Sequence, residues 1–338
     1  MKKLLFLAFV SLSLYSYDCP GEKPFDPCSY DADLFKKCKI VNFINAEFLY
    51  WRASAPGMEY AVKNRETPPV GTTYALGEYE VENYSFDPGF RASFGYFNAP
   101  HYWQAYIQYT WINIKNSKST ARPDNGLNLN STFPQSDITA ALDSVSSKVK
   151  LEYQLLEFMT SRVFIPNPHL RLRVVGGLQG VFLKNHWDID YFYITSTNEV
   201  RNMWRYFSGG LRLGFDLDWF LGKDFYLSGK TTTAAVIGNY KNHSLMNTSF
   251  YGQSTLDATY EDYRVAYNIQ YLFGFSYQKS FVNNRLELFL GYELGSWFNL
   301  HEIIKSTGGT NAALARVTNT TSGPLTMQGA TFRFGFDF

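Results

Sequence analysis

Over most of this chain hydrophobic and polar residues alternate with period two, the spacing at which successive side chains of a β-strand point to opposite faces. From Tyr263 to Tyr277 the odd positions are all Tyr, Val, Ile or Phe, while the even ones include Arg264, Asn268, Gln270, Gly274 and Ser276. Between residues 204 and 220, Phe207, Leu211, Leu213, Phe215, Leu217 and Trp219 oppose Ser208, Gly210, Arg212, Gly214, Asp216 and Asp218. Residues 89–97, 101–112, 169–183 and 285–298 repeat the pattern, setting Arg91, Gln108, Arg171, Arg173, Arg285, Glu287 and Glu293 against aromatic and aliphatic faces. The chain ends on the sharpest case. Ala330, Phe332, Phe334, Phe336 and Phe338 share one parity, and Gly329, Thr331, Arg333, Gly335 and Asp337 the other. A water-soluble sheet would bury such a face under another layer, and no segment reads as a helix long enough to supply one.

Three stretches are less regular. In 43–53, Ile44, Ala46, Phe48 and Tyr50 oppose Asn45 and Glu47, but Leu49 and Trp51 join the polar parity. In 147–163, Lys148, Lys150, Glu152 and Gln154 share one parity and Glu157 falls on the other; a bulge near Leu155 and Leu156 would bring them to one side, facing inward. In 224–238, Thr and Ala blur the contrast, with Lys230 inward. Together these make ten strands. Tight turns are expected at 98–100, 166–168, 222–223 and 282–284, and long polar loops at 54–83, 113–146, 184–203, 239–260 and 299–324. Short turns at one end and long loops at the other are the asymmetry of an antiparallel transmembrane β-barrel, with turns in the periplasm and loops outside. The fold class predicted is therefore all-β, ten strands, with twelve as the fallback if a loop hides a hairpin.

Composition supports that reading. The chain is 45% hydrophobic and 18% aromatic. Its apolar runs stay well short of the ~20 residues of a membrane-spanning helix, which leaves a closed barrel as the way to satisfy the backbone inside a bilayer. Lys2 and Lys3 before the apolar stretch 4–14 predict a signal peptide over 1–17. Residues 18–41 read as a polar periplasmic segment, with two helical turns expected between Asp31 and Lys39, and 42–338 as the barrel. Tyr17 and Asp18 replace the small residues that would make Cys19 a lipidation site. Cys19, Cys28 and Cys38 are an odd number of thiols in an oxidising compartment. One intramolecular bridge with an idle thiol, or a thiol pairing between chains, are both open. Without Lys2 and Lys3 there are 29 basic side chains (31 less 2) against 30 acidic ones, so no charge excess draws nucleic acid. No cofactor or metal site is expected.

Four blocks carry a resemblance: Ala46-Glu47-Phe48-Leu49-Tyr50-Trp51-Arg52-Ala53, Phe86-Asp87-Pro88-Gly89-Phe90-Arg91, Tyr153-Gln154-Leu155-Leu156-Glu157, and the final strand. In this order, from residue 46 to the end, the chain resembles the Legionella-type major outer membrane protein family, porin-like proteins also found in Chlamydia-related bacteria. The resemblance implies a pore-forming surface protein of a Gram-negative outer membrane, surrounded by its lipids and passing small solutes or ions. It brings no catalytic motif. The cysteines invite comparison with the disulfide-linked envelopes of chlamydial relatives, which implies disulfide-linked or homo-oligomeric neighbours. The aromatic C-terminus resembles the signal read by the barrel-assembly machinery, with Phe338 its last residue.

The inward charges are the candidate functional constellation. Arg91, Arg212, Lys230, Arg264, Gln270 and Glu293 are expected to line a pore and set its ion preference. Arg173 with Asp216, Arg171 with Asp218, and Arg333 with Glu47 sit at matching heights on neighbouring strands and are expected to pair across them, filling a narrow lumen. Trp103, Trp111 and Trp219 fit interfacial girdles, whereas Trp51, Trp204 and Trp297 share the polar parity and point inward. Two other readings compete. Long exterior loops suit a structural or adhesive barrel with a plugged lumen. His186 and Asp188 at the top of a strand would be needed for a surface protease, against the plainer reading that both are rim groups.

Overall fold

The computed structural model describes residues 35–36, 39–65, 77–124, 127–133, 142–194, 196–248, 253–281, 284–307 and 317–338. In chain order the strands are β1 (Ile40–Ser54), β2 (Glu59–Asn64), β3 (Gly77–Val81), β4 (Asp87–Asn98), β5 (Trp103–Ala121), β6 (Leu129–Ser131), β7 (Ser144–Asn167), β8 (Leu170–Phe192), β9 (Thr197–Gly222), β10 (Phe225–Thr248), β11 (Gln253–Ser280), β12 (Arg285–Thr307) and β13 (Val317–Asp337). Ten of them close into an antiparallel barrel in the order β1-β13-β12-β11-β10-β9-β8-β7-β5-β4. The seam joins first strand to last, with Glu47 opposite Arg333 and Phe48 opposite Phe332. The remaining three form a small separate sheet in the order β3-β2-β6. The connection between β1 and β4 thus does hold a hairpin, but it pairs with β6 rather than with the wall, and the barrel stays at ten.

Tight connections gather at one end, where a 3-10 turn at Ala99–His101 joins β4 to β5 and Lys223 and Asp224 take positive φ between β9 and β10. The longer connections lie at the other. We call these the turn end and the loop end. The strands run much further toward the loop end than their sequence pattern suggests. Residues 184–203 and 239–260, expected as loops, are mostly strand in β8 to β11, as are large parts of 113–146 and 299–324. A strand of 24 residues such as β7, tilted by about 40°, stands roughly 60 Å tall against an apolar band of about 25 Å.

The extra height explains a change of phase along the long strands. Near the turn end the apolar side chains point outward: on β9, Leu211, Leu213, Phe215, Leu217 and Trp219 are exposed while Arg212, Asp216 and Asp218 are buried inside. Near the loop end the pattern reverses. On the same strand Val200, Trp204 and Tyr206 are buried inside, and Arg201 and Arg205 stand on the outer face. The lower outer wall is thus apolar and the upper one polar, the pattern expected of a wall set in lipid below and in water above.

One expectation fails for this reason. Lys148, Lys150 and Glu152 do not face the lumen. They lie on the outer face of β7, whose inward positions are Val145, Val149, Leu151, Tyr153, Leu155 and Glu157. No bulge occurs at Leu155 and Leu156, and β5 and β7 stay in unbroken register from Trp103 to Ala121. The proposed signal peptide and Cys19, Cys28 and Cys38 lie outside the described residues. Of the segment expected to be helical, Phe35 and Lys36 form a turn, and the Lys39 N–H donates to the Lys36 carbonyl at 3.1 Å.

Candidate functional site in the barrel lumen

The turn half of the lumen is crossed by ion pairs. Asp337 holds Arg285 at 2.5 Å, Glu287 holds Arg333 at 2.8 Å, and Arg333 reaches Glu47 at 3.7 Å across the seam. Glu47 in turn accepts from Arg91 at 2.7 Å, and Arg91 binds Glu293 at 2.9 Å. Arg91 also donates from Nε to Thr110 at 3.0 Å, and Gln270 donates to Glu293. A second chain runs from Asp216 to Arg173 at 3.7 Å, from Arg173 to Asp218 at 3.0 Å, and from Asp218 to Arg171 at 2.8 Å. A third pair joins Arg212 on β9 to Glu157 on β7 at 2.7 Å, passing over β8. The three pairs expected between neighbouring strands are therefore all in contact.

The residues expected to line a pore divide. Arg91, Arg212 and Glu293 are tied into these pairs and are buried. Arg264 sits nearer the loop end, paired with Asp262 and Glu302 at 3.0 Å each and lying 3.7 Å over the Tyr240 ring. Lys230 has no carboxylate within 4.0 Å among the described residues and lines a cavity of about 130 Å³ with Gln270. Seven basic side chains and five carboxylates border that cavity. Asp218 and Glu157, bonded to Arg171 and Arg212, make the charges equal, so the lumen holds no large net field. Phe35 closes part of the cavity at the turn end, with the Arg285 guanidinium 5.5 Å from its ring centre.

Above the ion pairs the lumen is filled mainly by aromatic and aliphatic side chains, with Asn185, Asn202, Asn242 and Ser244 among them. Trp51 lies 5.3 Å from the Arg91 guanidinium and donates to Thr331 at 3.2 Å. Gly329 makes room for it, since a Cβ there would lie 2.7 Å from the Trp51 Cα. Trp187, Trp204, Trp297, Tyr153, Tyr206 and Tyr240 continue the same buried cluster. The small sheet plugs its top. Tyr191 donates to the Tyr60 carbonyl at 2.8 Å, Tyr84 to Asn185 at 2.7 Å, and Phe133 stands edge-on to Trp187 at 5.6 Å. Lys305 of β12 fixes it further, 5.0 Å from the Phe133 ring and 3.7 Å from Glu59.

Trp103, Trp111 and Trp219 are on the outer face, and Trp51, Trp204 and Trp297 on the inner. His186 and Asp188 are on the outer wall of β8, facing away from the lumen. Phe338 is outward, stacks on Phe336 at 5.9 Å, and pairs its backbone with Asn42 at 2.9 and 3.0 Å. Parity reasoning did not pair Glu157 with Arg212. It also gave no sign of the plug, whose strands come from two separate connections, or of Phe35.

The sequence profile of the family described as Legionella pneumophila major outer membrane protein precursor matches residues 39–338. No curated protein matches the chain. Among solved structures, outer membrane protease OmpT from Escherichia coli is similar at 10% identity and a TM-score of 0.39, over 92% of this chain and 99% of that one. A Pseudomonas aeruginosa FadL homologue follows at 9% and 0.20, over 90% and 93%. The TodX deltaS2S3 mutant monoaromatic hydrocarbon channel is similar at 7% and 0.25, over 90% and 91%. At those scores none of the three bears on what this chain does.

Proposed function

The chain belongs to the Legionella major outer membrane protein family, and from that premise we propose that this outer-membrane barrel is a channel for small solutes or ions, held closed in the conformation described. The observation that carries the reading is the division of the lumen into two storeys. The lower storey is polar and encloses a cavity with room for a handful of waters. The upper is a close-packed cluster of Trp, Tyr and aliphatic side chains capped by β2, β3 and β6. Charged groups in a lumen that never conducts could be replaced by apolar packing at little cost, whereas a water-filled path needs them. Opening requires the small sheet to leave its seat.

In this reading the loop end faces outward and the turn end the periplasm, outer-membrane lipids surround the lower half, and the barrel-assembly machinery inserts the chain. Planar-bilayer recording tests it. The native protein should give rare openings, and a variant with residues 57–81 replaced by a Gly-Ser linker should give frequent stepwise ones. Silence from both, with folded barrels, favours a structural or adhesive surface barrel with a permanently plugged lumen, the reading to which the size of the apolar cluster lends weight. Orientation is checked separately by an epitope at Asn125, which antibody should reach on intact cells.

A further inference from the structure

Above the apolar band, the outer wall carries basic side chains that face one another across the strands. The register sets Lys115 opposite Lys150, Lys184 opposite Arg205, and Arg205 opposite Lys241. Directly opposed cations destabilise a strand pair, and a merely solvated sheet face favours opposite charges at these positions. Carboxylates flank the run Lys184, Arg205 and Lys241: Glu152 lies opposite Lys184 and binds Lys150 at 2.6 Å, Glu261 binds Lys241 at 2.5 Å, and Asp188 lies opposite Lys148. Lys115, Lys184 and Arg205 have no carboxylate within 4.0 Å among the described residues. Lys148, Lys150, Lys184 and His186, together with Glu152 and Asp188, border an external groove of about 310 Å³. The next outward pair toward the turn end is Phe182 opposite Phe207, so the array begins one step above side chains that face lipid.

We propose that this array is a binding site for the phosphate-bearing headgroup of a glycolipid in the surrounding leaflet. A phosphate monoester carries close to two negative charges and several acceptor oxygens, so it can sit between two opposed cations and remove their repulsion. A free anion would satisfy the same charges. The position of the groove at the edge of the lipid-facing band favours a phosphate that arrives already anchored by acyl chains lying against Phe182 and Phe207. The site rests on the reading that the loop half projects from an outer membrane.

The test uses the full chain reconstituted in phosphatidylcholine vesicles containing a minor fraction of lipid A, or of the same glycolipid with its phosphates removed. Barrels are re-extracted, their folding is confirmed by heat-modifiable gel mobility, and co-purifying glycolipid is counted by mass spectrometry. A cation near a phosphate-bearing surface is worth about a fivefold change in partition, so the K150Q/K184Q double variant should retain roughly 25-fold less lipid A than the native chain. K279Q, on the outer wall near the turn end, should retain as much as native, and the dephosphorylated lipid should not be enriched by any of them. Equal retention by K150Q/K184Q, or equal loss in K279Q, overturns the site. Enrichment of the dephosphorylated lipid, or displacement of lipid A by excess inorganic phosphate, overturns the headgroup assignment. Vesicles carry the lipid in both leaflets, so these outcomes do not depend on orientation, which the epitope experiment decides independently.

Discussion

Replacing Arg91 by Gln removes the cation that joins two carboxylates from opposite sides of the seam. Arg91 is buried, as are Glu47 and Glu293, and its two ion pairs measure 2.7 and 2.9 Å. At an effective dielectric of about 20, each corresponds to roughly 6 kcal/mol of gross attraction, most of it offset by the cost of taking the ions out of water. What decides the variant is the state left behind. Arg91→Gln leaves two buried carboxylates facing each other, so we expect a loss of about 3–5 kcal/mol. Glu293→Gln leaves Arg91 paired with Glu47 and should cost less, about 1–3 kcal/mol. The double variant should cost less than the sum of the two by about 1–3 kcal/mol, because each change removes a partner that the other has already lost. Urea-dependent folding into phosphatidylcholine vesicles, followed by Trp fluorescence and gel mobility, measures all four corners of this cycle. Additive losses would mean that Arg91 and Glu293 do not interact, and the continuous ion-pair chain from Glu287 to Glu293 would be wrong.

Four further outcomes can be checked. Leu213→Arg, on the exposed outer face, should cost roughly 2–4 kcal/mol near the bilayer midplane, while Gln270→Arg, lining the cavity, should cost less and change single-channel conductance more; equal costs would overturn the register. Deleting Phe338 should leave the folded barrel nearly as stable, because Phe332, Phe334 and Phe336 keep the same face, yet precursor should build up in the periplasm of cells. Burial holds the Glu82 carboxyl above its ordinary value of 4.5; the folded state therefore binds the proton more tightly than the unfolded one, and the stabilisation present below that pH is lost as pH rises through the raised value. Amide exchange near the small sheet should accelerate over that rise, and Glu82→Gln should flatten the dependence. Non-reducing gels of outer membranes should show higher species that collapse on reduction and vanish when Cys19, Cys28 and Cys38 are all replaced by Ser; a monomer without reductant would point to a periplasmic tether instead.

The membrane half of this protein is legible in its sequence because lipid imposes a strict rule. Outward positions such as Phe215 and Phe334 must be apolar, which leaves Arg212 and Arg333 nowhere to go but inward. Tight turns then fix the register, and counting from them pairs Arg171 with Asp218 and Arg173 with Asp216. Contacts between strands that are not neighbours escape such counting. Arg91 reaching Glu293 and Arg212 reaching Glu157 depend on how sharply the wall curves, which no periodicity records. Parity also makes Gly214 look as permissive as Gln270, yet a Cβ there would lie 2.5 Å from the Thr231 carbonyl. The loop half is harder to read because its inner positions mix Asn185, Asn202, Asn242 and Ser244 with the aromatic groups, diluting the alternation into what resembles loop composition. A rule that holds only where lipid touches the wall puts Lys148 and Lys150 inward, whereas they lie on the outer face of β7. The three residues of β6 are too few to announce a strand, and their partner β2 lies some seventy positions earlier.

The reversal of phase along the long strands sets a rule for how related chains can differ in length. Suppose one residue were lost from β8 between Leu178 and Lys184. The lower part would keep its leucines against lipid, but every side chain above would turn over. Trp187, Ile189 and Tyr191 would face water, and Lys184 and His186 would be driven into the aromatic cluster. Losing or gaining two residues restores the sides and only slides the upper wall by one pleat. Length changes at the boundary between the two halves should therefore accumulate among descendants in even steps, while the connections beyond the strands remain free to vary one residue at a time.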